Sequence, residues 1–327
     1  MDDVSPEFPG AAVPTSCGAV FVRHHESGVA VPLSSKHTVD TAAQPVVFVH
    51  GLGGESLDWA DVVSELGAEV DAYALDLPGF GASPPPSDHD ASLDAHVRAV
   101  VDVIDASGRA PVHLVGNSLG GAIATRVAAE HPNRVRSLAL ISPALPDLRP
   151  RLWSWQLLVA LIPGLGSRIV QQALQGNPER MARRVFWLCY GNPSSVSDRR
   201  RIELVEATRR RAELVHSAST YQASLRALVS AYLQRGDRRL WRQAEQVVVR
   251  TMVIYGGRDK LVDPRMAARA RRTFPDVQTL LMPDAGHVAQ LEYPQRVANA
   301  LRDFFVSVDQ LRTPTPGSGN DRTAWDR

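Results

Sequence analysis

Cysteine is nearly absent from this 327-residue chain, which contains only Cys17 and Cys189. Two cysteines so far apart make no disulfide framework and favour reduced thiols in the cytoplasm. The longest apolar stretch, LWSWQLLVALIPGL, has 14 residues, fewer than the roughly 20 that span a bilayer. The amino-terminal MDDVSPEFPG also lacks the apolar core of a secretory signal. These absences predict a soluble, cytoplasmic protein.

A charge excess of either sign is missing too, because the formal net charge is +1 at pH 7. This balance gives no basic field for nucleic acid, and no recognition motif accompanies the arginines, so we expect no nucleic-acid partner. The charge is distributed unevenly, however. Residues 146–245 contain 17 arginines and 8 acidic residues, whereas the rest of the chain has 19 basic and 27 acidic residues. The contrast indicates an inserted segment of different composition, here called the insert.

Short apolar runs alternate with amphipathic segments along the remainder of the chain. Five runs are typical of strands buried on both faces: PVVFVHG, VDAYAL, VHLVG, VRSLALIS and RTMVIYGG. VQTLLMP is a further predicted strand. Helical segments lie between them, which predicts an α/β fold with a mostly parallel central sheet flanked by helices. The insert shows helical patterns only. We expect it to form an all-helical cap over the carboxyl ends of the strands, where ligands of open α/β sheets bind.

The domain organisation follows from these patterns. Residues 17–145 and 246–312 form the predicted core, which the insert interrupts. Residues 1–16 and 313–327 are rich in proline, glycine and polar residues, and we predict that both tails are disordered. The segment that begins at Cys17 is predicted to form a β-hairpin that turns near residues 26–28.

The sequence VHLVGNSLGGAIATRVAAEHP places Ser118 between Gly116 and Gly120, where a predicted strand changes into a helix. G-x-S-x-G in this context is typical of a nucleophile elbow, a sharp turn that exposes the serine hydroxyl above the sheet. The turn strains the backbone, and side chains two residues to either side would collide, which favours glycine there. Gly121 allows the helix to approach the sheet. The pattern predicts Ser118 as a nucleophile.

A serine nucleophile needs a base, and the base needs an orienting carboxylate. His287 lies in MPDAGHVAQLEYP, after the last predicted strand, and is the predicted base because this loop reaches the same sheet edge as Ser118. Asp259 follows a buried strand in VIYGGRDKLVDP and is the predicted carboxylate. Asp263, which suits a helix cap, and Asp284, in the loop of the histidine itself, are alternatives.

Two backbone N–H groups are needed to stabilise the oxyanion. We predict that they belong to Leu119, directly after the nucleophile, and to Leu52 in the glycine-rich HGLGG that follows the first buried strand. His50 and Gly51 are expected to support this loop, with His50 holding it through hydrogen bonds. The chemistry requires no metal and no cofactor.

Together these motifs resemble the α/β-hydrolase fold family. The resemblance rests on FVHGLGG, ALDLPGFGAS, LVGNSLGG, YGGRDKLVDP and MPDAGHVAQLEYP, in that order, and covers residues 20–145 and 247–308. It implies an enzyme that hydrolyses its substrate through a covalent ester on Ser118, with the insert as the helical cap of the family. The expected class is an esterase or lipase that acts on a carboxylic ester of a small, apolar substrate.

Other functions remain open. The GNSLGG form, with Asn117, also resembles enzymes that cleave carbon–carbon bonds in ring-fission products, although those usually carry a G-P-G loop where this chain has GLGGESLDW. Some members of the fold are small-molecule receptors without catalysis. The arginine triplets at residues 199–201 and 209–211 are interpreted as a solvated helix face, with weak contact to an anionic membrane surface as the alternative. The sequence does not indicate an oligomeric state.

Overall fold

The computed structural model describes residues 8–25, 43–86, 88, 90–147, 162, 165–174, 176–214 and 216–312. Its strands are β1 (Gly10–Thr15), β2 (Gly18–His25), β3 (Gln44–Val49), β4 (Val70–Leu75), β5 (Val112–Asn117), β6 (Val135–Ile141), β7 (Thr251–Gly256) and β8 (Val277–Met282). They form one sheet in the order β1-β2-β4-β3-β5-β6-β7-β8. Strands β3 to β8 pair in parallel, and β2 pairs antiparallel with both β1 and β4. The mostly parallel sheet is thereby confirmed.

Helices cover both faces of this sheet. In the core they are α1 (Ala60–Leu66), α2 (Leu93–Ser107) and α3 (Leu119–Glu130). The insert contributes α4 (Leu165–Leu174), α5 (Pro178–Cys189), α6 (Asp198–Glu213) and α7 (Ser217–Leu233), and α8 (Leu240–Gln246) ends it. The core resumes with α9 (Met266–Thr273), α10 (Ala289–Glu292) and α11 (Pro294–Arg312). Short 3₁₀ turns occupy Ser56–Trp59, Gly67–Glu69, Pro132–Arg134, Pro193–Ser195 and Gly236–Arg238.

Two hydrophobic clusters, one on each face of the sheet, explain why the sequence of the inner strand β3 is continuously apolar. In β3, Val47 and Val49 point to the cluster that α2, α3, α8 and α9 cover. Val46 and Phe48 point to the opposite cluster, which α1 and α11 cover. Alternate residues of one strand thus enter two separate cores, so that neither face of the strand tolerates polar side chains.

The amino-terminal prediction was wrong for residues 10–15, which form strand β1 in place of a disordered tail. Val13 is buried in the core, and Pro14 is compatible with the strand because β1 lies at the edge of the sheet. The predicted hairpin is displaced as well. Strand β2 pairs with β1 through a turn at Ser16 and Cys17, and residues 26–28 lie outside the described residues.

The described part of the insert consists of helices and loops, as its sequence predicted. Its predicted first helix, at residues 152–161, lies outside the described residues, as does the carboxyl-terminal tail from residue 313. Within the described ranges, no helix combines the length and the apolar character that a membrane crossing requires.

Candidate active site

Ser118 occupies a sharp turn between β5 and α3. Its backbone has φ 53° and ψ −114°, a strained conformation for a residue with a side chain. Ser118 is half-buried, whereas residues 112–117 and 119–128 on either side of it are all buried. The turn therefore brings one hydroxyl to the surface of an otherwise closed strand–helix junction.

Glycines make this turn possible by removing side chains where backbones meet. A Cβ atom at Gly116 would lie 2.4 Å from the carbonyl oxygen of Gly120, and one at Gly120 would lie 2.3 Å from the carbonyl oxygen of Val49. Gly121 packs against Pro143, 2.8 Å from where its Cβ would stand. The start of α3 is thus pressed onto the ends of the neighbouring strands, which is the steric reason for the G-x-S-x-G-G pattern.

The loop of residues 50–54, which follows β3, passes directly beside the elbow. A Cβ at Gly51 would lie 3.2 Å from Cβ of Ser118. His50 holds the loop: its Nδ1 donates to the carbonyl oxygen of Gly51 over 2.7 Å, and its Nε2 accepts from the N–H of Leu77 over 2.9 Å. Burial lowers the pKa of His50 to about 3, so the ring is neutral and serves as a structural brace.

Two backbone N–H groups near Ser118 are left free by the local structure. Leu119 is the first residue of α3, and the first hydrogen bond of that helix runs from Ala122 to the carbonyl of Ser118, so the N–H of Leu119 has no acceptor within the helix. In the loop, the N–H of Gly54 donates to Gly51 over 3.0 Å and closes a turn around Leu52. The N–H of Leu52 is not used by that turn.

Asp259 and His287 meet at the same edge of the sheet. Oδ2 of Asp259 lies 2.9 Å from Nδ1 of His287, and Oδ1 accepts from the N–H groups of Leu261 and Val262 over 2.8 and 2.9 Å. Burial favours the neutral acid, but the charge and hydrogen bond of His287, with the two N–H groups, outweigh it and hold the pKa of Asp259 below its usual value. The carboxylate is ionised and fixes one edge of the imidazole.

The two alternative carboxylates are engaged elsewhere. Asp263 accepts from the N–H of Arg265 over 2.9 Å and pairs with its guanidinium, at the start of α9. Asp284 is exposed and lies 3.8 Å from Arg258. Asp259 is therefore the carboxylate that the fold brings to His287.

Asn117 connects the histidine to the elbow. Its side-chain Nδ2 donates to the carbonyl oxygen of His287 over 3.1 Å and to that of Ile141 over 3.0 Å. The peptide of His287 is therefore bonded to the residue that precedes Ser118. Among the described residues, Nε2 of His287 has no hydrogen-bond partner and is available to a ligand or a hydroxyl.

Helices of the insert lie over the 50–54 loop. Leu52 packs against an apolar cluster here called the roof: Val170, Met181, Ala218, Tyr221 and Leu225. The ring of Tyr221 would be 3.1 Å from a Cβ at Gly53. The arginine triplets also reach the core, because Arg199 and Arg200 pair with Asp61, and Arg210 pairs with Glu55. These arginines are not simply a solvated face, since three of them dock α6 on the core.

Glu292 is a further polar residue beside the site that no motif in the sequence predicts. Its carboxylate accepts hydrogen bonds from the N–H groups of Gly286 and Gly191. The sequence signal for this residue is weak, because a glutamate five residues after His287 resembles any other helical residue. One of its two partners, Gly191, is 101 positions away. The described residues contain no group of three or more histidine, cysteine, aspartate and glutamate side chains that could hold a metal ion.

This arrangement, with its parallel sheet and its elbow, agrees with the comparison with known families. The profile described as alpha/beta hydrolase fold matches residues 44–294. The chain therefore belongs to the α/β-hydrolase fold family.

The individual proteins to which this chain is similar have low sequence identity to it. The chain is 31% identical over 274 residues to the dihydrolipoyllysine-residue acetyltransferase component of the acetoin cleaving system of Pseudomonas putida, a match that covers 80% of this chain and 63% of that protein. It is 25% identical to Lipase 1 of Psychrobacter immobilis, over 81% of this chain and 78% of the lipase. The structure of Cfl2 from Burkholderia cenocepacia superposes with a TM-score of 0.75 at 20% identity, over 93% of this chain and 98% of that one. The last likeness shows the fold alone.

Proposed function

We propose that this protein is a serine hydrolase that cleaves a carboxylic ester of a small, apolar substrate through an acyl-enzyme on Ser118. The observation that carries the proposal is the 2.9 Å contact between Asp259 and His287 at the same edge of the sheet as the half-buried Ser118. A buried carboxylate that holds one ring nitrogen of a histidine leaves the other nitrogen to act as a base. The similarity to Lipase 1 supports an ester as the substrate.

The reaction proceeds in two halves. Ser118 Oγ attacks the ester carbonyl while its proton passes to Nε2 of His287, and the N–H groups of Leu52 and Leu119 stabilise the oxyanion. The carbon–oxygen bond to the alcohol then breaks, and His287 protonates the departing oxygen. Water, deprotonated by His287, then attacks the acyl carbon, the bond from that carbon to Ser118 Oγ breaks, and His287 returns the proton to Oγ as the acid leaves. Asp259 stays ionised throughout and stabilises the imidazolium, as its lowered pKa favours.

The roof supports an apolar acyl group. Its side chains are aliphatic or aromatic, and they pack around Leu52, whose N–H is proposed to bind the oxyanion. Burial raises the pKa of Tyr221 to about 12, so that this roof residue remains neutral. Val170 and Leu225 are already buried. An apolar chain attached to the reacting carbonyl would therefore cover the part of Met181, Ala218 and Tyr221 that is still exposed, which is worth roughly 25 cal/mol per Å².

Hydrolysis of p-nitrophenyl esters of increasing acyl length tests the proposal. The Ser118→Ala variant is expected to lose kcat by about 1,000-fold or more with the fold intact. Ser142→Ala is a matched control, because Ser142 also follows a strand with a positive φ of 43° but is fully buried. Its hydroxyl has no partner among the described residues, so we expect near-wild-type turnover.

The outcomes separate the alternative functions. Ester turnover that disappears in Ser118→Ala and persists in Ser142→Ala supports the proposal. The preferred acyl length then indicates the length of the pocket that holds the acyl chain. Near-wild-type turnover in Ser118→Ala contradicts it. If no ester is hydrolysed but Ser118 reacts with a fluorophosphonate, ring-fission products are the next substrates to assay. Without either reaction, a receptor function becomes the better hypothesis.

A further inference from the structure

The carboxyl end of α5, in the middle of the insert, touches both loops that hold the candidate base and its carboxylate. The peptide N–H of His287 donates to the carbonyl oxygen of Cys189, the last residue of α5, over 2.7 Å. Lys260, which follows Asp259, contacts the carbonyl oxygen of Trp187 and lies 4.4 Å from the centroid of its ring. The carboxyl end of α5 is therefore bound to both loops at once.

Glu292 completes this junction with its carboxylate. Oε1 accepts from the N–H of Gly286 over 2.6 Å, and Oε2 accepts from the N–H of Gly191 over 2.8 Å. One side chain thus joins the loop of residues 283–288, here called the histidine loop, to the insert. The carboxylate is half-buried, and hydrogen bonds to a charged acceptor are stronger in such surroundings than in water.

The two backbones that Glu292 joins are in direct contact. A Cβ at Gly191 would lie 2.3 Å from the carbonyl oxygen of Asp284, and one at Gly286 would lie 2.4 Å from the carbonyl oxygen of Cys189. No side chain separates the segments, so a displacement of one is passed to the other.

The hydrogen bonds of His287 come from different parts of the chain. Asp259 binds its ring, Asn117 binds its carbonyl oxygen, and Cys189 binds its N–H. Glu292 accepts from the N–H of Gly286, the residue before His287, and from the N–H of Gly191 in the insert. The nitrogen of a base must stay within about 2.6–3.2 Å of the atom that carries the proton, and a 1 Å misplacement can cost about 100-fold in rate.

We propose that Glu292 is a positioning residue that fixes His287 by clamping the histidine loop to Gly191 of the insert. The inference rests on the proposed function, in which His287 is the base. The insert is then a structural component of the site, since its residue 191 helps to set where the imidazole stands.

A fluorophosphonate that phosphonylates Ser118 tests this inference without knowledge of the natural ester. Intact-protein mass spectrometry gives the maximal labelling rate and the half-saturating probe concentration. In Glu292→Gln, the amide has one acceptor oxygen and presents its own N–H to the second backbone N–H, so the clamp is broken. We expect the maximal rate to fall about 10- to 100-fold with the half-saturating concentration unchanged. Glu292→Asp, which keeps the carboxylate, should be intermediate.

Asp71→Asn is the matched control for a general loss of stability. Asp71 is a buried carboxylate that bonds His24 over 2.6 Å and Tyr73 over 3.0 Å. It lies at the amino end of β4, whereas the candidate site lies at the carboxyl ends of the parallel strands. We expect its melting temperature to fall and its maximal labelling rate to stay within about twofold of the wild type.

The outcomes are distinct. A wild-type rate in Glu292→Gln overturns the inference, and so does an equal loss of rate in Asp71→Asn. A wild type that is never labelled contradicts the proposed function and the inference with it. Hydrogen exchange on the wild type needs no variant: after division by their intrinsic exchange rates, the hydrogen-bonded amides of Gly191, Gly286 and His287 should give one common free energy of opening. Two different opening free energies would show that no clamp joins the segments.

Discussion

Polar side chains hold two regions of this molecule in different ways. At the carboxyl edge of the sheet, Asp259 is fully buried and accepts from the ring of His287 and from two backbone N–H groups. Along α6, the insert is docked on the core by arginine–carboxylate pairs, and in two of these pairs the side chains of Arg199 and Arg210 remain 69% and 53% exposed.

The energies of the two kinds of contact differ. Hydrogen bonds to a charged group contribute about 1.5–3 kcal/mol, and removing one partner of a buried set leaves unsatisfied donors. Exposed ion pairs contribute about 0–1 kcal/mol and weaken in salt. The candidate site is therefore fixed by buried bonds, whereas the ion pairs of Arg199 and Arg210 that help to dock α6 on the core are exposed and replaceable. Substitutions at the carboxyl edge of the sheet should therefore lower the reaction rate, whereas substitutions in the exposed pairs between α6 and the core should lower the stability slightly.

The largest effect is expected at Asp259. Asp259→Asn keeps the shape of the side chain but replaces an acceptor by an N–H donor beside Nδ1 of His287, which favours the wrong tautomer of the ring. The loss in kcat should be about 10,000-fold, as when a serine protease loses its triad aspartate. Steady-state kinetics on the best p-nitrophenyl ester measures it. Asp263→Asn serves as the control, and an equal loss there would mean that the acid has been assigned to the wrong residue.

A smaller effect is expected where glycine alone fits. Gly116→Ala places a methyl group 2.4 Å from the carbonyl oxygen of Gly120, so the elbow must shift. Overpacking of this kind costs about 1–3 kcal/mol. Gly108→Ala is the control, because its φ of 65° is strained for alanine but nothing lies within 4 Å of the new methyl.

Urea unfolding compares the two glycine variants. The free energy of unfolding of Gly108→Ala should be about 1 kcal/mol lower than that of the wild type, because alanine is strained at this positive φ. This variant should react with the fluorophosphonate at the wild-type rate. Gly116→Ala should lose more stability and most of its labelling. Equal losses in both variants would show that the contact with Gly120 does not constrain the elbow.

The elbow and its partners could be predicted because their signals are local. Gly116, Ser118 and Gly120 lie within five positions, and the strand before them and the helix after them set the turn. Asp259 and His287 each follow a strand of a parallel sheet, so that the topology alone brings them to one edge. Short-range pattern and sheet geometry together were sufficient for these residues.

The remaining features depend on contacts that are distant in the sequence. Strand β1 resembled a tail because its proline and glycine content hides the single buried Val13, and its partner β2 is what orders it. The bond between Glu292 and Gly191 joins residues 101 positions apart. No periodic pattern within either segment predicts this contact, because it forms only when the insert folds back on the core.

The smallest effect is expected at an exposed ion pair between α6 and the core. Arg210→Ala removes the 3.0 Å pair with Glu55, and Arg209→Ala is its control, since Arg209 is exposed on the same helix and makes no ion pair among the described residues. Melting curves should place Arg210→Ala about 0.5 kcal/mol below Arg209→Ala at low salt. The difference should vanish near 1 M salt, where the screening length falls to about 3 Å. A larger loss that persists in salt, with slower labelling of Ser118, would mean that this pair also positions the 50–54 loop through Glu55, and that the two regions are not independent.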